Sequence, residues 1–274
     1  MTDLEYDALR NSLRDRCGIV LDDDKRYLME SRLAPALPKL GLASIGEFAA
    51  KLRTDPYGAL PAELVECLVT TESSFFRDPA AWEELRTVVL PELIRRRQSE
   101  RRLVFWCGAA AAGQEPYSLA LTLRERFPEL VGWQLTIVAT DISRRMLARC
   151  REGKYTQFEA NRGLPAALLV KHFTQEGLDW RLNADIRRMV EFREMNLCGI
   201  WPALPPLDLA LVRNVMIYFG VDAKKTILGR VAKLLRPDGR LLMGAAETTL
   251  NLEASFQRVA GLKAGFHQLV GATP

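Results

Sequence analysis

Leu103-Val104-Phe105-Trp106, followed by Cys107 and the small-residue run Gly108-Ala109-Ala110-Ala111-Ala112-Gly113, decides the fold. The apolar run reads as a buried strand that empties into a loop. A helix from Pro116 to Phe127 comes next, then a second run, Leu135-Thr136-Ile137-Val138-Ala139-Thr140, ending in Asp141. Strand, small-residue loop, helix, strand, acid is the order of a parallel βαβ unit with a ligand site at the carboxyl ends of its strands. The alanines between Gly108 and Gly113 let backbone pass close to a ligand. The spacing is neither GxGxxG nor GxxxxGK[ST], and the Lys and Ser/Thr of a phosphate loop are missing. Asp141, 28 positions after Gly113, stands where an acid accepts hydrogen bonds from both hydroxyls of an adenosine ribose. That suits a nucleoside ligand without pyrophosphate, of which S-adenosylmethionine is the commonest. The alternative is that Asp141 caps a helix starting near Ser143.

Working outward, further strands are expected over 190–192, 207–212 and 240–243, with a helix over 222–235 before a turn at Pro237-Asp238-Gly239. Residues 153–193 form an insertion with room for a helix over 165–173 and a hairpin around Gly177. Toward the N-terminus the pattern is helical: Leu4, Leu9, Leu13 and Ile19 mark one apolar face, Tyr27, Leu28, Leu33 and Leu37 a second, and Ile45, Phe48 and Leu52 a third. Pro35 and Pro38 end or kink the second segment near Ala34. The expected organisation is a helical domain over 1–70, a linker and helix over 71–100, and an α/β domain over 101–274 with a small inserted subdomain at about 153–193.

Composition removes several function classes. With 48% hydrophobic and 26% charged residues in 274, the chain has a soluble globular balance. Its longest apolar stretch, 207–221, is broken by Asp208, Arg213 and Asn214, short of the ~20 residues of a membrane span. The acidic opening Met1 to Arg10 lacks the basic start of a signal peptide, so a cytoplasmic protein without membrane insertion is expected. Five scattered cysteines without a CxxC pair, beside only His172 and His267, argue for a reducing compartment and against a zinc site. Residues 1–80 carry 10 Lys and Arg against 14 Asp and Glu, so the basic surplus lies later, including Arg95, Arg96, Arg97, Arg101 and Arg102. Without interleaved aromatics to stack bases, that run reads as a solvated helix end, and no nucleic-acid partner is expected.

Four blocks carry a resemblance: Thr71-Glu72-Ser73-Ser74-Phe75-Phe76-Arg77-Asp78, Gly113-Gln114-Glu115-Pro116-Tyr117-Ser118, Ala139-Thr140-Asp141-Ile142 and Arg213-Asn214-Val215-Met216-Ile217-Tyr218-Phe219. In this order they resemble the signature blocks of the CheR family, the chemotaxis receptor methyltransferases that esterify receptor glutamates with S-adenosylmethionine. The resemblance runs from the N-terminal helices to about Val270. It implies a Rossmann-like methyltransferase sheet and the release of S-adenosylhomocysteine.

By that resemblance Thr71, Ser73 and Arg77 contact the cofactor, with Arg77 pairing with its methionyl carboxylate. Glu115 accepts from its amino group, Asp141 holds the ribose, and Asn196 and Leu197 flank the adenine. Arg213 and Asn214 close the pocket, and Tyr218 lies near the transferable methyl. Arg77 and Tyr218 are the expected catalytic positioning residues, and Arg32 is expected on the face that docks the receptor's cytoplasmic helices. Lys25, Arg26 and Lys39 are further candidates for that face. The chain is expected to act as a monomer. Two departures stand out: Ala111 and Ala112 replace the family's Ser-Thr, and Pro38 replaces one of its arginines. A same-fold methyltransferase acting on another acid or small molecule, or a weakly active S-adenosylmethionine-binding regulatory domain, are the alternatives at this point.

Overall fold

A mostly parallel sheet fixes where everything else sits. The computed structural model describes residues 1–271, so the last three residues of the expected α/β span lie outside the described residues. Helices α1 (Asp3–Cys17), α2 (Arg26–Leu33), α3 (Ile45–Thr54) and α4 (Leu60–Leu68) come first, then α5 (Pro79–Glu84) and α6 (Leu90–Arg96) joined by a π-helical turn. Next come β1 (Arg102–Gly108), α7 (Gln114–Arg126), β2 (Gln134–Asp141) and α8 (Arg144–Glu152). The insertion holds β3 (Lys154–Thr156), α9 (Gln157–Asn161), α10 (Ala166–His172), β4 (Phe173–Glu176), β5 (Asp179–Leu182) and α11 (Ala184–Arg187). The chain then continues with β6 (Val190–Glu194), β7 (Leu207–Val212), α12 (Val221–Leu234), β8 (Leu235–Met243), β9 (Phe256–Arg258) and β10 (Phe266–Leu269).

The large sheet has the order β6-β2-β1-β7-β8-β10-β9, parallel from β6 to β8 and antiparallel at β10 and β9. Strand order reverses about β1, so the carboxyl ends of β1, β2 and β7 open on a crevice at a switch point. Alternate residues feed the two faces: Phe105, Cys107, Ile137 and Leu209 pack on one side, Val104, Trp106, Val138 and Ala210 on the other. A separate core of Tyr6, Leu9, Leu13, Met29, Leu33, Phe48, Leu52, Leu64 and Leu68 holds α1 to α4 together. The small sheet β3-β5-β4 is the inserted subdomain, its hairpin turning at Gly177.

Four readings of the sequence change. Leu4 and Tyr27 are exposed, 78% and 66%, while Tyr6 and Met29 are buried and complete faces whose other expected members, Leu9, Leu13, Leu33 and Leu37, are buried. Helix α4 lay unmarked although its buried residues Pro61, Leu64, Val65 and Leu68 recur at helical spacing. Pro237-Asp238-Gly239 lies inside β8, whose pairing with β7 is irregular there, instead of preceding a strand. The arginine run is not all solvated. Arg97 is 5% exposed and bonds Asp208 at 2.7 Å and Asp238 at 2.5 Å, so the acid that interrupts the β7 run is neutralised at the sheet's amino end.

Candidate active site

Loop geometry after β1 comes from its small residues. Ala109 and Ala111 take positive φ, 58° and 49°, a region L-residues seldom enter. Gly113 follows with φ +91°, and a Cβ there would lie 3.1 Å from Cys150 Sγ and 3.2 Å from the Tyr155 hydroxyl. Those neighbours hold the loop from behind: Tyr155 donates to the Ala112 carbonyl at 2.9 Å and the Cys150 thiol to that of Ala111 at 3.1 Å. Ala109, Ala110 and Ala111 thus line a cleft with Asp141, Ile142, Asn196, Leu197, Ser73, Arg77, Glu115, Arg213, Asn214 and Tyr218. The N-terminal domain supplies Cys17, Ile19 and Val69 to the same wall.

Asp141 ends β2, 8% exposed. Its Oδ2 accepts from the Ala111 N–H and its Oδ1 from the Ser143 N–H, both at 2.8 Å. An ionised carboxylate offers about four lone-pair sites, so roughly two remain for a ligand's hydroxyls. Burial pushes its pKa up to about 6, against the pull of those N–H groups. The capping alternative is half met, since Asp141 does bond the Ser143 N–H, but the α8 cap itself is the Ser143 hydroxyl on Met146 N–H. The Ala111 N–H, with no hydroxyl beside it, is committed to Asp141.

Arg77 sits in a strained linker. Phe76 and Asp78 on either side have φ of 47° and 59°, conformations that cost about 1–3 kcal/mol each and persist only when surroundings impose them. Here the Phe76 N–H donates to the Ser118 hydroxyl at 3.0 Å, and Asp78 pairs with Arg213 at 2.7 Å. The Arg77 side chain is exposed and makes no ion pair among the described residues; Asp78 beside it is taken by Arg213, and Glu83 by Arg86. An unpaired guanidinium in a cleft is a ready carboxylate receptor.

Arg213 is the hub beneath. It donates to Glu115 at 2.8 Å, Asp78 at 2.7 Å and the Arg77 carbonyl at 2.8 Å. Burial raises the Glu115 carboxyl while Arg213 opposes the rise. Tyr218, half-buried, has its carbonyl held by the Val20 N–H at 2.9 Å, and Ile19 bridges to Phe219, so the N-terminal domain pins the main chain at this residue.

Three expected residues are placed differently. Thr71 faces a neighbouring groove with Arg32, Lys39 and Arg145, whereas Thr70, Glu72 and Ser73 around it face the cleft. The Asn196 amide is already used, donating to the Arg16 carbonyl at 2.6 Å and accepting from Cys198 N–H at 3.0 Å. Arg32 bonds the Leu68 and Val69 carbonyls at 2.7 and 3.4 Å, closing the C-terminus of α4, and is not a free docking cation. Lys25 pairs with Asp24 and Arg26 with Asp3, whereas Lys39 has no ion pair among the described residues.

Two carboxylates escaped the reading of the sequence. Glu66 on α4 accepts from the Ser143 hydroxyl at 2.5 Å and Arg144 N–H at 2.7 Å, carrying the N-terminal domain to the start of α8 beside Asp141. Glu247 holds the loop after β7. Glu66 had no local signal, its partner being far along the chain; Glu247 could have been found as an acid three residues after Gly244 at a strand's carboxyl end.

Comparison with known proteins matches the chain in two parts. The family model described as "CheR methyltransferase, SAM binding domain" matches residues 71–264, and that described as "CheR methyltransferase, all-alpha domain" matches 4–69. "Chemotaxis protein methyltransferase Cher2" of Pseudomonas putida is 37% identical over 261 residues, 93% of this chain and 94% of that one. "Chemotaxis protein methyltransferase 1" of Pseudomonas aeruginosa is 37% identical over 259 residues, with coverage of 93% and 94%. "Chemotaxis protein methyltransferase" of Escherichia coli is 32% identical over 263 residues, with coverage of 93% and 88%.

Proposed function

Because the chain belongs to the CheR methyltransferase family, whose S-adenosylmethionine-binding domain it carries, we propose that it methylates glutamate side-chain carboxylates on the cytoplasmic helices of a chemotaxis-type receptor. The product is a glutamyl methyl ester, with S-adenosylhomocysteine released. Its relatives are named chemotaxis protein methyltransferases, which supports the receptor substrate. The carrying observation is Arg77, a guanidinium without an ion-pair partner among the described residues, lining one cleft with Asp141 and Tyr218.

The residues present fit the cofactor. Asp141 has lone pairs left for two ribose hydroxyls, Arg77 takes the methionyl carboxylate in a forked pair, and Glu115 accepts from the amino group. Leu197 and Ile142 give apolar cover. S-adenosylmethionine supplies a methyl on a positively charged sulfur; a carboxylate oxygen forms the new C–O bond as the C–S bond breaks and its electron pair goes to sulfur. A glutamate of ordinary pKa, about 4.3, is already ionised near neutrality, so this chain need not hold a base for it. Its task is alignment, worth up to roughly 7–11 kcal/mol. Arg77 and Tyr218 do that, Arg77 by anchoring the tail of the methyl donor and Tyr218 by orienting the reacting groups.

No helix among the described residues is long and apolar enough to cross a membrane, and we place the chain in the cytoplasm, acting as a monomer. Of the cations considered for receptor docking, Lys39 keeps that role. The test is label transfer to a receptor cytoplasmic fragment with the modified residue mapped by mass spectrometry. Label confined to a small acid would replace the receptor with the alternative substrate.

A further inference from the structure

The Glu247 carboxylate accepts main-chain N–H groups from two loops. Oε2 takes Asn214 at 2.8 Å and Gly244 at 2.8 Å, and Oε1 takes Met216 at 2.7 Å. Asn214 and Met216 belong to the segment after β7 that also bears Arg213 and Tyr218; Gly244 follows β8. One anion therefore ties together the carboxyl ends of two adjacent parallel strands.

The arrangement is built for a charge at that point. Glu247 makes no ion pair among the described residues, so its charge is spent on main-chain donors, the stronger class of hydrogen bond. Asn214 takes a left-handed φ of 57°, which asparagine tolerates better than most residues. Gly244 permits the close approach: a Cβ there would lie 2.7 Å from Glu247 Oε2 and 2.8 Å from Asn214 Nδ2. Glu247 is not among the residues lining the cleft, so whatever it does for the reaction it does through the segment it holds.

We infer that Glu247 is a positioning residue for methyl transfer, fixing the loop after β7 so that Tyr218 stands at the reacting end of the cleft. The inference rests on the role given to Tyr218 above. A displacement near 1 Å from a distant change costs about 10²-fold in rate, so a loosened loop slows transfer while Asp141, on β2, is left in place to hold the cofactor.

The experiment compares Glu247→Gln, Tyr218→Phe and the double variant in the full chain, measuring kcat for methyl transfer to a receptor fragment and the Kd for S-adenosylhomocysteine. Gln keeps the shape but replaces one acceptor oxygen by an NH2, so that at least one main-chain N–H, that of Met216 if the remaining oxygen serves Asn214 and Gly244, faces a donor. The expected result is a kcat lowered about 10- to 100-fold in Glu247→Gln, a Kd changed less than about threefold, and a double variant no slower than the slower single one. Multiplying losses in the double variant, or a Kd that weakens as much as kcat falls, would overturn the inference. So would unchanged kcat in Glu247→Gln with Tyr218→Phe slow, which leaves the Tyr218 role standing. Unchanged kcat in Tyr218→Phe would instead overturn the Tyr218 role and this route with it. If Glu247→Gln does not fold, Gly244→Ala strains the same contact; failure of both to fold makes Glu247 a requirement of folding and overturns the positioning role.

Discussion

The Arg213 guanidinium lies 2.8 Å from the Glu115 carboxylate, with Asp78 at 2.7 Å on the same side chain. The side chain of Arg213 is 1% exposed and that of Glu115, at the cleft wall, 15%, so the Arg213 charge has little water to fall back on. Removing one partner of a buried pair costs about 3–5 kcal/mol, because the other charge stays buried without compensation. Arg213→Met should lose stability on that scale in denaturant titration. Adding Glu115→Gln should restore part of it, and an additive second loss would show that the two act independently.

Asp141 gives a pH signature. Ribose hydroxyls donate to the ionised carboxylate, and in the free protein that carboxylate titrates near 6. Affinity for S-adenosylhomocysteine should therefore fall as pH drops through 6, approaching about tenfold per unit, and Asp141→Asn should flatten the profile over that range. The sign for folding is opposite to that of a paired carboxylate. A folded-state pKa above the unfolded value means that ionised Asp141 costs stability above about 6, and the cost disappears as pH falls. Calorimetric titration between pH 5 and 7 checks the binding arm.

Arg77→Met should weaken S-adenosylmethionine and S-adenosylhomocysteine together by about 1.5–3 kcal/mol, the worth of hydrogen bonds to a charged group. Both carry the same carboxylate. Arg77 has no ion pair among the described residues, so thermal stability should be unchanged, which separates it from Arg213.

The helical domain offers a contrast between two cations. Arg32→Ala frees the carbonyls of Leu68 and Val69 and should cost about 0.5–1.5 kcal/mol of stability per lost bond with little effect on receptor KM. Lys39→Glu should raise the KM for a receptor fragment, more at low ionic strength, because steering between exposed charges is screened by salt. Stopped or equilibrium kinetics at two salt concentrations distinguishes them.

How far the chain could be read depended on how local each signal was. The βαβ order, the loop of alanines and Asp141 at the strand end are fixed by neighbours in sequence, and they lie where the pattern put them. The hairpin at Gly177 is legible for the same reason. Arg97 was misread because its partners, Asp208 and Asp238, are more than a hundred residues away. Arg32 looked like a docking cation because periodicity shows which face a side chain is on but not which carbonyl it meets. Thr71 falls in the extended segment after α4, where one residue's difference moves a side chain to another wall, and Asn196 reaches the cleft but its amide meets the Arg16 carbonyl, far away in the chain.

The most direct measurement is the chemical stability of the methyl group transferred. The full chain is incubated with methyl-labelled S-adenosylmethionine and a receptor cytoplasmic fragment, and the labelled fragment is then exposed to mild base. The account predicts label on the fragment, mapped to glutamate, released by base as methanol, and strongly reduced by Arg77→Met or Tyr218→Phe. Label that survives base, or an unlabelled fragment beside a protein that binds the cofactor, would contradict it.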